Sequence, residues 1–122
     1  MLYLARRDDP ERHRGLVVAV EESVFAPTAD AVAYRRLGSL SGPAFALGYR
    51  ERLRGLRAAD PALFRDLVAL ARAGDVTLVD GWGDDDWAPR RVLAGFLKRV
   101  AWEQRQEARL RANRGDRQPR GA

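Results

Sequence analysis

The sequence predicts a small layered α/β domain, with a partly parallel central sheet flanked by helices and a protruding basic C-terminal helix. Two short runs, residues 16–20 (LVVAV) and 75–80 (DVTLVD), are largely apolar and rich in β-branched residues, which is typical of strands covered on both faces. Between them, apolar residues recur at helical spacing. Strands alternating with helices favour a sheet with layered helices over a bundle or a sandwich.

Composition and length indicate a single-domain protein. Its 122 residues, 46% of them hydrophobic, suffice for one modest core. The absence of cysteine excludes disulfides, thiolate metal sites and cysteine nucleophiles. No run approaches the roughly 18 apolar residues that span a bilayer, so we expect a cytoplasmic protein that does not enter a membrane. We place the α/β domain at residues 1–102 and a basic helical extension with a disordered tail at residues 103–122.

The first two apolar runs are predicted to pair as a hairpin. Residues 2–5 form a short apolar start, and the polar link RRDDPERHRG that follows is too short for a crossover helix. Because residues 16–20 are continuously apolar, we expect them at the centre of the sheet. Glu21 and Glu22 then stand at the carboxyl end of this strand. Residues 31–37 (AVAYRRL) fit both a strand and a helix, and a strand is the prediction we adopt.

Two helices are predicted between the strands at residues 16–20 and 75–80. Ser41 or Gly42 can cap the first, and Pro43 suits its first turn, so this helix should cover about residues 43–58. Its apolar stripe recurs at spacings of four, four and three residues, at Phe45, Tyr49, Leu53 and Leu56.

The second of these helices is predicted to begin at Pro61 and to end at Gly74. Proline is tolerated in the first turn of a helix, and glycine commonly follows the last turn. Residues 75–80 then form the second buried strand. The stripe expected to be buried consists of Leu63, Phe64, Leu67, Leu70 and Ala71.

The last helix is predicted to begin at Pro89 and to outlast the domain. Beyond Trp102 its apolar stripe fades, so a helix over residues 89–114 would extend about 39 Å at ~1.5 Å per residue, with disorder from residue 115 onward. Residues 98–122 hold eight basic and three acidic residues, which accounts for the whole net charge of +5. The rest of the chain is therefore neutral. The positions expected to be buried are Val92, Leu93, Phe96, Leu97 and Val100.

The loop between the strand at residues 75–80 and the last helix, residues 81–88 (GWGDDDWA), is the first candidate for a ligand-binding site. In parallel sheets, ligands bind beyond the carboxyl ends of the strands, and this loop should meet the segment around Glu22 at that edge. Tryptophan can stack on a planar ligand, and charged side chains can bind a polar one. The predicted ligand-binding residues are Glu22, Asp80, Trp82, Asp84, Trp87 and Arg90.

These groups also have a purely structural interpretation. The aspartates at residues 84–86 can offset the positive end of the following helix dipole, and a loop tryptophan more often caps the core than stacks on a ligand. The carboxylate spacing matches no calcium-binding loop, so no metal site is predicted. The sequence has no glycine-rich phosphate loop and no nucleophile elbow, so we predict neither a cofactor nor a catalytic residue. Whether the protein is an enzyme stays open.

Four motifs follow one another in the order VVAVEESVFAP, FALGYRERL, ARAGDVTLV and WAPRRVLAGFL. Over roughly residues 2–98 this order resembles the YeaO-like branch of the domain-of-unknown-function 488 family, which are small bacterial α/β proteins. The resemblance implies their fold and a pocket at the strand ends, and leaves the reaction open. The chain has EESVFAP where the family usually has an Asp-Arg-x-Trp-Pro-Arg-like run, and DWAPR in place of an Asn-His or Cys-His-Arg element. Of those site residues, only the family arginine has a counterpart, Arg90 or Arg91.

The basic C-terminal helix supports a different interpretation. Arginines along an extended helix are typical of sequence-independent, salt-sensitive binding to phosphates, so the alternative function is a non-enzymatic module that binds nucleic acid or a protein partner. Glu103 and Glu107 interrupt this basic face, which favours a solvated or partner-binding helix. A homodimer anchored by Trp102 is a third alternative. The residues of the alternative site are Arg99, Trp102, Arg105, Arg109, Arg111 and Arg114.

Overall fold

The structure, a computed structural model, describes residues 1–117, with side chains as far as residue 114. Within this range it confirms an α/β architecture, in which four α-helices flank a sheet of three parallel strands. The strands are β1 (Leu2–Arg6), β2 (Leu16–Ala19) and β3 (Val76–Asp80). The helices are α1 (Ala29–Arg36), α2 (Gly42–Ala59), α3 (Pro61–Ala73) and α4 (Pro89–Arg117).

The sheet has the order β1-β3-β2, and β3 runs parallel to both neighbours. Every residue of β3 is buried, whereas Leu16 and Val17 of β2 are 49% and 43% exposed. Two predictions are therefore wrong, because β1 and β2 do not form a hairpin and β2 is an edge strand. The apolar run was misleading because Val20, its most buried member, belongs to a 3-10 turn (Val20–Glu22) that packs into the helical core.

The link from β1 to β2 returns along the sheet with only a single 3-10 turn (Pro10–Arg12). Thr77 of β3 anchors this link, because its hydroxyl accepts a hydrogen bond from Arg14 N (2.8 Å) and donates one to Arg14 O (2.7 Å). Gly15 then turns the chain into β2 with a φ of 64°, and a Cβ at this position would lie 2.0 Å from the carbonyl oxygen of Asp75. This short parallel connection therefore requires glycine.

Residues 31–36 belong to a helix and Leu37 is its C-cap, so the strand predicted for residues 31–37 is wrong. Helix α1 begins after Thr28, whose hydroxyl accepts a hydrogen bond from Ala31 N (3.2 Å) and so caps the first turn. The capping signal lies just upstream of the ambiguous run and decides its structure. No residue of α1 is buried, which explains why apolar periodicity did not identify it as a helix.

Helices α2 and α3 lie where they were predicted. Ser41 caps α2 by accepting a hydrogen bond from Ala44 N (3.2 Å). One position of the predicted α3 stripe is wrong, since Leu70 is 49% exposed and Val68 is buried instead. The buried face of α3 is centred between Leu67 and Val68, and Leu70 lies outside it.

The helical core also positions the loop that follows β2. Phe64 of α3 packs against Phe25 of that loop and Phe96 of α4, with ring centroids 5.1 and 5.2 Å apart. The Tyr49 hydroxyl of α2 donates a hydrogen bond to Phe25 O (2.5 Å). Burial, reinforced by the nearby charge of Asp80, raises the pKa of Tyr49 far above its usual range, so this phenol remains a donor.

Helix α4 begins at Pro89, as predicted, and continues to Arg117 rather than ending at residue 114. Its buried face includes Val92, Leu93, Leu97 and Val100, with Phe96 half-buried. Residues 115–117 belong to α4, and the remainder of the predicted disordered tail, residues 118–122, lies outside the described residues. None of the helices in residues 1–117 combines the length and apolarity needed to cross a membrane.

Candidate functional site

The strand-edge loop, residues 81–88, closes over a buried ion pair between Asp80 and Arg90. Asp80 ends β3 and is fully buried, and Arg90 lies in the first turn of α4 and is 3% exposed. Arg90 Nη1 lies 2.5 Å from Asp80 Oδ1, and the Arg90 backbone N donates to Oδ2 at 2.8 Å. The backbone N of Trp82 also donates to Oδ1 (2.9 Å). The charge of this carboxylate is therefore balanced inside the protein.

Arg90 also determines the shape of the loop. Its Nη1 donates to the carbonyl oxygen of Trp82 and its Nη2 to that of Gly83, both at 2.9 Å. Breaking such a buried ion pair would leave an uncompensated charge. The Arg90 guanidinium also uses its N–H donors on carbonyl oxygens of the loop backbone. Two of the predicted ligand-binding residues therefore come together, but they bind each other and the loop.

The two tryptophans of the loop pack against the protein interior. Trp82 stacks on Phe45 with ring centroids 5.4 Å apart, and the guanidinium carbon of Arg36 lies 5.7 Å from the Trp82 ring. The Nε1 of Trp82 is buried without a hydrogen-bond partner among the described residues. Trp87 lies so close to Gly42 of α2 that a Cβ there would be 2.0 Å from Trp87 Cδ1. Both indoles are half-buried and cap the core.

The aspartates at residues 84–86 do not converge on one point. Asp85 Oδ1 accepts a hydrogen bond from Trp87 N (2.9 Å), and Arg35 of α1 lies 3.4 Å from Asp85 Oδ2. Asp84 is exposed. In the part of the chain that the structure describes, no group of three or more His, Asp or Glu side chains is arranged to hold a metal ion.

At the end of β2, Glu21 contacts the loop, and the predicted Glu22 does not. Glu21 Oε1 accepts a hydrogen bond from Gly81 N (3.0 Å), and Glu21 Oε2 lies 3.8 Å from Arg36. The Glu22 side chain is 69% exposed and pairs with Arg7 at 3.3 Å. Successive residues of a 3-10 turn point in different directions, so the sequence could not distinguish these two neighbouring glutamates.

An open cleft of about 420 Å³ lies beside Glu21, between the loop after β2 and α1. Glu21 and Arg36 give it one carboxylate and one guanidinium group. At the strand edge this cleft is accessible to a ligand, whereas Asp80 and Arg90 are buried. The other lining residues are small or apolar, namely Ala26, Pro27, Ala29, Val32 and Ala33.

A larger cavity of about 940 Å³, the arginine groove, lies between α2 and α4. Within it, Glu103 accepts hydrogen bonds from Arg57 Nη1 (2.6 Å) and Arg99 Nε (3.2 Å). The hydrogen bond from Arg57, with that from Arg99, lowers the pKa of the Glu103 carboxyl. The groove is lined by Arg50, Arg54, Arg57, Ala58, Pro61, Gly95, Phe96, Arg99 and Glu103.

Helix α4 also carries a basic stripe on its solvent-exposed face. Its residues are spaced so that they lie on one side of the helix. As expected, the glutamates interrupt the predicted basic face at two of its arginines, because Glu103 pairs with Arg99 at 3.2 Å and Glu107 with Arg111 at 3.9 Å. The stripe leaves out both of these pairs. The stripe consists of Arg91, Lys98, Trp102, Arg105 and Arg109, all of them exposed.

The arginines of α1 and α2 were not among the predicted site residues. Arg35 and Arg36 contact the strand edge only because α1 packs there, and the residues facing Arg99 across the groove come from a helix more than 40 positions away. The signal that could have found the α2 arginines is their spacing of four and three residues beside the apolar stripe, at Arg50, Arg54 and Arg57.

No family model, no curated protein and no solved structure matches this chain.

Proposed function

We propose that the protein is a non-enzymatic nucleic-acid-binding module that holds phosphates along the basic stripe of α4. The observation that carries this proposal is the separation of charge on α4. The cations of the stripe face solvent, whereas Glu103 and Glu107 are directed to other partners. The stripe therefore presents positive charge without an interleaved carboxylate, as binding to a phosphate backbone requires.

The dimensions of the stripe suit an extended polyanion. From Arg91 to Arg109 it spans about 27 Å at ~1.5 Å per residue, which is long enough to follow several successive phosphates. Trp102 lies within the stripe and is 47% exposed, with the Arg99 guanidinium 5.2 Å from its ring centroid. An exposed indole beside cations is a surface on which an unpaired base can stack. Single-stranded nucleic acid is the form that uses both features.

The proposal includes membership of the YeaO-like branch as a divergent member. It is supported by the order of the sequence motifs and by a parallel sheet with a loop-to-helix element at its carboxyl edge. In this chain Arg90, one of the two counterparts of the family arginine, is bound to Asp80 and to the loop carbonyls. Arg90 then stabilises the loop and is not available to a ligand.

The test compares two double variants that remove equal charge. Arg105→Ala with Arg109→Ala removes two cations from the stripe, and Arg12→Ala with Arg65→Ala removes two exposed cations elsewhere. Binding of a fluorescent single-stranded oligonucleotide is measured by anisotropy over a range of salt concentrations. We expect the stripe variant to bind more weakly at low salt and to lower the slope of log K against log salt by about 1.4, at ~0.7 per phosphate contact. Equal losses in both variants would contradict a localised site.

Trp102→Ala distinguishes base stacking from charge attraction. Loss of a stacked base should weaken single-stranded binding by about 1–3 kcal/mol, with little effect on the salt slope. A homodimer anchored by Trp102 would use the same surface, so light scattering is recorded with and without the oligonucleotide. Dimers that dissociate in the Trp102→Ala variant, without any oligonucleotide binding, would favour the dimer over the nucleic-acid module.

A second candidate function is favoured by the cleft beside Glu21 and Arg36. Its one carboxylate and one guanidinium group suit a small polar or nucleotide-like ligand at the carboxyl edge of the sheet. Calorimetric titration with nucleotides and amino acids tests this use, with Arg36→Ala as the variant that should lose binding. Arg7→Ala is the control, because Arg7 pairs with the exposed Glu22 instead. Heats that are absent throughout, or unchanged by Arg36→Ala, would remove this candidate.

A further inference from the structure

We propose that the arginine groove between α2 and α4 binds a linear polyphosphate anion, of the class that includes inorganic triphosphate and nucleoside triphosphates. This site lies on the flank of α4 next to the basic stripe and goes beyond the proposed nucleic-acid binding.

Charge in the groove exceeds what the protein itself neutralises. Four guanidinium groups line it and a single carboxylate, Glu103, faces them. Arg50 and Arg54 form no ion pair with any of the described residues, and both are exposed. From Arg50 to Arg57 the cations of α2 extend over about 10 Å at ~1.5 Å per residue, and Arg99 faces them from α4. Cations spread along a helix in this way suit an elongated anion better than a single phosphate.

Glu103 shows how the groove holds anionic oxygen atoms. Its two carboxylate oxygens bind separately to Arg57 (2.6 Å) and Arg99 (3.2 Å), so the guanidinium groups of two helices converge on one anionic group. Phosphate presents the same kind of acceptor to arginine with greater charge. The Glu103 side chain is 38% exposed, so it can be displaced. It therefore competes with the ligand for these two arginines.

Part of the groove lining is apolar. Phe96 is half-buried there, next to Pro61 and Gly95. Glycine is unfavourable inside a helix, yet a Cβ at Gly95 would meet no atom within 4 Å. The groove is therefore open beside Gly95. The cavity of about 940 Å³ falls within the range of small-molecule sites.

The experiment is calorimetric titration of the full-length protein at low salt with inorganic triphosphate, adenosine triphosphate and adenosine. We expect both triphosphates to bind and adenosine alone not to bind. Arg50→Ala with Arg54→Ala should weaken both by about tenfold or more. The control variant, Arg65→Ala with Arg72→Ala, removes two exposed cations from α3 and should leave binding unchanged. Circular dichroism verifies that each variant is folded, which is expected because all four side chains are exposed.

Glu103→Gln provides an independent test in the opposite direction. Removing the competing carboxylate should tighten triphosphate binding by about threefold or more, whereas a purely structural Glu103 predicts no change or a loss. Tighter binding of the nucleotide than of inorganic triphosphate would support packing of the ring on Phe96, and equal binding would support recognition of the phosphates alone.

Three results would overturn the proposal: no binding of either triphosphate, equal weakening in the groove and control variants, or adenosine binding as tightly as the nucleotide. The stripe variant, Arg105→Ala with Arg109→Ala, separates this site from the proposed function. This variant should bind triphosphate normally but bind the oligonucleotide more weakly. The two proposals can therefore be refuted independently of each other.

Discussion

The strand-edge loop and the basic face of α4 are both rich in charge and tryptophan, but they use these residues differently. At the loop, two carboxylates are paired within the protein, Asp80 with Arg90 and Asp85 with Arg35, whereas Asp84 and Asp86 are exposed. On α4, the cations of the basic stripe are exposed to solvent. The density of charged residues therefore does not mark a binding site in this chain. What distinguishes the two regions is whether the counter-charge is supplied from inside the molecule.

The tryptophans show the same contrast. Trp82 stacks on Phe45 and Trp87 packs against Gly42, so both stabilise the closed loop. Trp102 is 47% exposed and lies among the cations of the stripe. Aromatic residues near charge are therefore candidates for ligand binding only where the ring is not already covered by the core.

The largest expected effect would come from breaking the buried pair of the loop. Arg90→Ala leaves Asp80 buried without its counter-charge, which should lower the free energy of unfolding by about 3–5 kcal/mol. The neighbouring Arg91→Ala is the matched control, because Arg91 is exposed and should change stability by less than about 0.5 kcal/mol. Urea denaturation followed by tryptophan fluorescence measures both. If the two variants were equally stable, the charges of the loop would not be held as described.

An intermediate effect is expected where Trp87 closes the loop. A Cβ at Gly42 would overlap the indole, so Gly42→Ala should lower the free energy of unfolding by about 1–3 kcal/mol and shift the tryptophan emission. Gly48→Ala on the same helix meets no atom within 4 Å and should instead stabilise the protein by up to about 1 kcal/mol. The two substitutions should therefore change the free energy of unfolding in opposite directions. Stabilisation by Gly42→Ala would show that Trp87 does not pack tightly against α2.

The smallest effect is expected in the arginine groove. Because Glu103 is 38% exposed, Glu103→Gln should change the free energy of unfolding at neutral pH by at most about 1 kcal/mol. The folded state lowers the pKa of Glu103 below its ordinary value of 4.5, so the stabilisation is present above that value and is lost as the pH falls through the folded pKa.

The measurement is thermal denaturation between about pH 6 and about pH 3. The unsubstituted protein should lose slightly more stability over this range than Glu103→Gln. Identical pH profiles would mean that Glu103 gains nothing from Arg57 and Arg99. If Glu103→Gln lowered the free energy of unfolding as much as Arg90→Ala does, the groove would not differ from the buried ion pair of the loop.

Much of the fold follows from local sequence signals. Pro61 and Pro89 mark the starts of α3 and α4, and the apolar stripe of α2 recurs at helical spacing. The buried strand β3 is recognisable from its β-branched residues. These features depend on interactions within a few residues, such as capping, helix periodicity and backbone preference. The concentration of positive charge in the C-terminal segment is likewise a property of the sequence alone.

The tertiary structure alone decided the strand order and the pairing of charges. An apolar run indicates that a strand is buried but does not indicate which strands lie beside it. For this reason β2 was predicted to be the central strand, although β3 occupies that position. Likewise, Glu103 belongs to the groove because packing brings Arg57 to it from 46 residues away. The sequence therefore determined which residues carry charge and where helices begin. Long-range packing determined which charges are neutralised inside the protein and which remain available to a partner.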